Sequence, residues 1–98
     1  MDILKDHRKK IDALDDQIID LMVERFQIVA EVAKIKAAHN IAAALPDRIE
    51  EVKDRNAQRA DGKGLNGEFI RKLYADIIDH AISFEDAYMD AQKADASS

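Results

Sequence analysis

Five ionisable residues, Arg8, Arg25, Lys36, Arg48 and Glu85, intrude on, border or cap the apolar faces of this chain. Arg25 stands inside a stripe of Ile11, Leu14, Ile18, Leu21, Ile28, Val32 and Ile35, which together with it recur in steps of three and four. That is the spacing of one helix face, and a guanidinium on it is costly unless something negative meets it. Lys36 follows about three turns later and returns to nearly the same face. Arg8 borders the stripe at its other end. Arg48 falls in the first turn of a second helix, and Glu85 continues the line of Ile78, Ala81 and Ile82 in a third. Snorkelling with a solvated head would explain a lone arginine. Two cations on one side of a chain with net charge −5 are better explained by a ligand. If the helices pack together, four cations and one acid converge. That set suits a small molecule with at least two negative charges, because arginines offer forked contacts to carboxylates. Glu85 has the plainer alternative of an edge position that reaches water.

Other chemistries lack their residues. There is no Cys, which excludes a disulfide framework, a thiol nucleophile and a Cys-based metal site. Ser83, Ser97 and Ser98 form no nucleophile–base pair, and His7, His39 and His80 have no metal-ligand spacing. No Gly-rich loop offers itself to a phosphate. Neither a metal nor an organic cofactor is expected, and catalysis would rest on positioning and charge stabilisation. The acidic balance argues against a nucleic-acid partner. The opening MDILKDHRKK lacks the apolar core of a signal peptide, and no run reaches the apolar length of a membrane span. The expected location is the cytoplasm.

The elements that position these residues read as all-α. One domain, 1–98, holds three helices: one very long, one short, one long. The first runs from Asp6 to Ala38 without Pro or Gly, about 50 Å at the α-helical rise. A compact domain of this size has a radius of gyration of about 13 Å, so the chain cannot cover that helix. A second copy can, and an intertwined homodimer is expected. Lys9 and Lys10 read as solvated surface. Asn40 is a helix stop, Pro46 suits the first turn of the second helix, and that helix should end near Arg59. Asp61-Gly62-Lys63-Gly64 is a turn, and Asn66 is a natural cap for the third helix. Phe69 and Tyr74 read as core, and residues 93–98 as a frayed tail.

The run HRKKIDALDDQIIDLMVERFQIVAEVAKIKA resembles the first helix of the AroQ-class chorismate mutases. The shared features are Arg8 before Ile11-Asp12-Ala13-Leu14-Asp15, the pair Glu24-Arg25, and Val32 to Lys36. A loop, a short second helix and a long third helix follow in the same order, so the likeness covers nearly the whole chain. It implies a catalyst that rearranges chorismate to prephenate, a step of aromatic amino acid biosynthesis. Arg8 would reach across the dimer to a carboxylate in the partner's site, and Arg25 would hold the other carboxylate. Lys36 would hydrogen-bond the ether oxygen, Arg48 would support the carboxylate side, and Glu85 stands where many members have Gln as the second donor to that oxygen. Two positions depart from the family: Ile49 where many members have Glu against the C4 hydroxyl, and Leu45 where an Asp is common. Pro46-Asp47-Arg48-Ile49 is similar to the related isochorismate–pyruvate lyases, which makes salicylate formation one alternative. A mutase acting on 4-amino-4-deoxychorismate is another. A non-enzymatic helical dimerisation module would explain the long stripe but not Arg25 and Glu85 within apolar faces.

Overall fold

A computed structural model of the chain describes residues 2–96. These form three helices, α1 (Lys5–Ala38), α2 (Pro46–Asp61) and α3 (Gly67–Ala96), with no strand among the described residues. The all-α, three-helix expectation is met. Each boundary has a local cause. Asn40 takes a positive φ of 55°, and the Ile41 N–H donates to the Lys36 carbonyl at 2.9 Å, which closes the end of α1. Leu45 is extended, as the residue before a proline prefers, and Pro46 opens α2. Helix α2 continues two residues past Arg59. Its closure waits for Gly64, at φ +81°, where the Leu65 N–H returns to the Ala60 carbonyl at 2.9 Å.

Asn66 caps α3 as its sequence position suggests, its Oδ1 accepting the Phe69 N–H at 3.1 Å. A second acceptor was not visible in the local pattern: Asp61 Oδ1 takes the Gly67 N–H at 2.8 Å. Gly67 suits that contact because a Cβ there would run into the Asp61 carboxylate.

Helix α3 is the element against which both others pack. Its buried face carries Ile78, Ala81 and Glu85, and Ala33 of α1 and Ala57 of α2 are buried as well. Phe26 of α1 stacks edge-on to Phe84, with ring centroids 4.8 Å apart, and lies 5.8 Å from His80. On the other side Arg71 of α3 donates to Asp54 of α2 at 2.5 Å. That hydrogen bond pushes the Arg71 guanidinium further above its ordinary range.

Only the second half of α1 joins this packing. Every described residue from Asp2 to Glu24 is exposed. The chain measures 64 × 28 × 15 Å with a radius of gyration of 17.7 Å, well above the ~13 Å of a compact domain this long. Ile11, Leu14, Ile18, Leu21, Ile28 and Ile35 are each more than half exposed. The helix does outrun its own chain.

Two details differ from the sequence reading. Phe69 is more than half exposed, because nothing from α1 or α2 covers its side of the first turn of α3, while Tyr74 is half-buried. Helix α3 also continues through Ala96, so residues 93–96 of the expected tail are helical; Ser97 and Ser98 lie outside the described residues. No helix among the described residues is long and apolar enough to cross a membrane.

Candidate active site

The three helices and the 39–45 loop enclose a cleft of about 350 Å³. Helix α1 sends Arg25 and Lys36 into it, about three turns apart on one face. Helix α2 contributes Arg48 from its first turn, fixed there by Pro46, with Ile49 and Val52 beside it. Helix α3 contributes Ile78, Ala81, Ile82 and Glu85, and the loop adds Ala43 and Leu45. Four of the five expected residues therefore share one cavity.

Arg8 is the exception within a single chain. It sits on the uncovered half of α1, its Nη1 3.2 Å from Asp2 Oδ2, with both side chains largely exposed. About 25 Å of helical rise separates it from Arg25, more than one small ligand spans.

Lys36 and Glu85 form the buried centre. Lys36 Nζ donates to the Ala43 carbonyl at 2.8 Å and lies 2.8 Å from Glu85 Oε1. Glu85 is 5% exposed, so the edge position reaching water is ruled out. Its Oε1 is an ion partner of Lys36 by distance, yet accepts no directed hydrogen bond among the described residues. Both statements hold together, because Coulomb attraction needs no particular angle and a hydrogen bond does. Glu85 Oε1 is thus a buried acceptor without a directed donor, beside a half-buried ammonium.

The cationic side is more open. Arg48 pairs with Glu51 one turn on, at an exposed position. Arg25 and Arg48 also border an adjoining cleft with Arg55, Asn56 and Tyr74. Arg55 escaped the sequence reading, although it lies two turns beyond Arg48 on the same face of α2. The Ala43 carbonyl was missed too, and no side-chain pattern announces a backbone acceptor. Among the described residues no cluster of His, Cys, Asp and Glu is arranged to hold a metal.

Charged side chains from three helices thus converge on an otherwise apolar cleft. The chain belongs to the chorismate mutase type II family, which it matches over residues 7–86. It is thus an enzyme, of the isomerase class that the family description names. Among known proteins it is 33% identical over 89 residues to a 4-amino-4-deoxychorismate mutase of Streptomyces venezuelae, covering 91% of this chain and 86% of that one. It is 28% identical over 87 residues to a chorismate mutase of Methanocaldococcus jannaschii, with 89% and 88% covered. An isochorismate pyruvate lyase of Pseudomonas aeruginosa is 31% identical over 75 residues, covering 76% and 73%.

Proposed function

We propose that the chain is a chorismate mutase, converting chorismate to prephenate in aromatic amino acid biosynthesis. The observation that carries this reading is the placement of Arg25, Lys36, Arg48 and Glu85 around one small, otherwise apolar cleft. Chorismate presents two carboxylates and one ether oxygen. The arginines meet the carboxylates with forked, charge-assisted contacts and hold the chain folded over the ring. In the rearrangement the ether C–O bond breaks as a new C–C bond forms, all within one molecule, and no proton or redox equivalent is exchanged. Negative charge grows on the ether oxygen as its bond lengthens. Lys36 donates to it, and Glu85 donates a second hydrogen bond while it carries a proton. Donors already in place where charge develops stabilise the transition state more than the ground state. Neither metal nor organic cofactor takes part.

The working unit in this proposal is a homodimer of single-domain chains (1–98) in the cytoplasm. Two copies laid along α1 would cover each other's exposed stripe. They would also carry Arg8 of one protomer to the cleft of the other, where it meets a substrate carboxylate.

A second reading is rearrangement of 4-amino-4-deoxychorismate, favoured by the 33% identity to a protein so named. The apolar Ile49 and the similarity to an isochorismate pyruvate lyase favour a third, lyase chemistry. The deciding experiment offers chorismate, 4-amino-4-deoxychorismate and isochorismate separately and identifies the products. Prephenate formed fastest from chorismate, with no salicylate from isochorismate, is the expected result. Faster turnover of the amine selects the second reading, and salicylate with pyruvate selects the third.

A further inference from the structure

Along one face of α2 three charges alternate in sign: Arg48, Glu51 and Arg55. Two turns separate the arginines, which brings them to nearly the same side of the helix with Glu51 between them. Arg48 Nη1 donates to Glu51 Oε1, and both side chains are largely exposed. Arg55 lies one turn beyond Glu51 and has no ion-pair partner among the described residues. The neighbouring acids of α2 are engaged elsewhere, Glu50 by Lys53 at 2.8 Å and Asp54 by Arg71 at 2.5 Å. Arg48 borders both clefts, whereas Glu51 and Arg55 border only the adjoining one. The ion pair therefore ties the Arg48 guanidinium to the adjoining side.

A ligand carboxylate in the main cleft competes with Glu51 for that guanidinium. The two carboxylates also repel each other, so Glu51 opposes the ligand unless another cation takes it. Arg55 is placed to do so. An acid four residues before a cation is the better-oriented pair on a helix, so moving Glu51 from Arg48 to Arg55 costs little. We propose that Glu51 is a positioning residue exchanged between the two arginines, passing from Arg48 to Arg55 when a ligand carboxylate claims Arg48. The exchange rests on the reading of the ligand as a dicarboxylate held in the main cleft. Glu51 and Arg55 act through Arg48 and touch no reacting atom, so their effect falls on binding and not on the chemical step.

A double-mutant cycle read as binding tests the exchange. A Glu51–Arg55 interaction that is the same with and without ligand cancels from the cycle, and only one that changes on binding appears as coupling. Wild type, Glu51→Gln, Arg55→Gln and the double variant are titrated calorimetrically with a bridged bicyclic ether diacid that mimics the rearrangement transition state. The salt concentration is about 0.15 M, where the field of an exposed charge is largely screened beyond about 8 Å. Glu51→Gln is expected to bind the diacid more tightly and Arg55→Gln more weakly, each by up to about fivefold, the most that an exposed ion pair contributes. In the Glu51→Gln background the Arg55→Gln effect is expected to shrink below about 1.4-fold, the least that such a pair contributes. Arg55→Lys keeps the charge and is expected to bind like wild type. In turnover of chorismate the same shifts should appear in KM, with kcat unchanged. Weaker binding in Glu51→Gln would mean that Glu51 supports Arg48 in the complex and overturns the exchange. Equal weakening by Arg55→Gln in both backgrounds overturns it too, since Arg55 would then act on the ligand directly, as does a loss confined to kcat. A wild type that does not bind the diacid removes the dicarboxylate reading itself, and the exchange falls with it.

Discussion

Arg8 and Arg25 lie on one unbroken helix, about 25 Å apart in rise. If both hold carboxylates of one small substrate, they must come from different copies of the chain. Arg8→Ala and Arg25→Ala are each expected to be nearly inactive, since each removes a charge-assisted contact to a carboxylate. Mixing equal amounts, unfolding and refolding gives random pairing: a quarter of dimers of each parent and half mixed. In a mixed dimer one site combines the intact Arg25 of one chain with the intact Arg8 of the other, and the second site has lost both. One site in four overall is whole, so roughly a quarter of wild-type activity returns. The assay is the loss of chorismate absorbance after refolding, with mixed dimers quantified by a tag on one variant. No recovery despite abundant mixed dimers would refute the shared site, because it would mean that Arg8 and Arg25 serve one subunit's cleft or separate purposes.

The chain is expected to sediment near twice 11.0 kDa, and Leu14→Glu, which charges the middle of the exposed stripe, is expected to give a folded but inactive monomer. Wild type as an active monomer would remove the dimer. Lys36→Met leaves Glu85 buried without its cation and should lower the unfolding free energy by about 3–5 kcal/mol in urea titration. Adding Glu85→Gln to Lys36→Met should restore much of that loss, and purely additive effects of the two changes would mean that the pair does not interact. Glu85→Gln keeps a donor at this position and is expected to retain activity, whereas Glu85→Ala should be poor. Wild-type activity in Glu85→Ala would remove Glu85 as donor.

What could be read from the sequence were features written in period and type. A polar residue at an apolar-face position stands out, which is why Arg25, Lys36 and Glu85 were visible before any fold was known. Pro46, Asn40 and Asn66 announced helix ends because each acts within a few residues of itself. What stayed hidden depends on distant neighbours or on backbone atoms. The Ala43 carbonyl that holds Lys36 belongs to a loop whose path no periodicity specifies. The tie from Arg71 to Asp54 joins exposed faces of two helices, and either residue alone reads as ordinary surface. Phe69 looked like core by its type, yet burial depends on what lies opposite, and nothing from α1 or α2 does. Arg55 was within reach of the helical period and was overlooked because it interrupts no apolar stripe.

The most direct test of the account is the product made from chorismate, followed by proton NMR, for wild type beside Lys36→Met held folded at the assay temperature. The account predicts prephenate as the sole product of wild type. It predicts that the variant loses about 10²–10³-fold in kcat, the effect of removing one donor to a developing oxygen charge. Wild type that leaves chorismate unchanged, or a variant as fast as wild type, would contradict it.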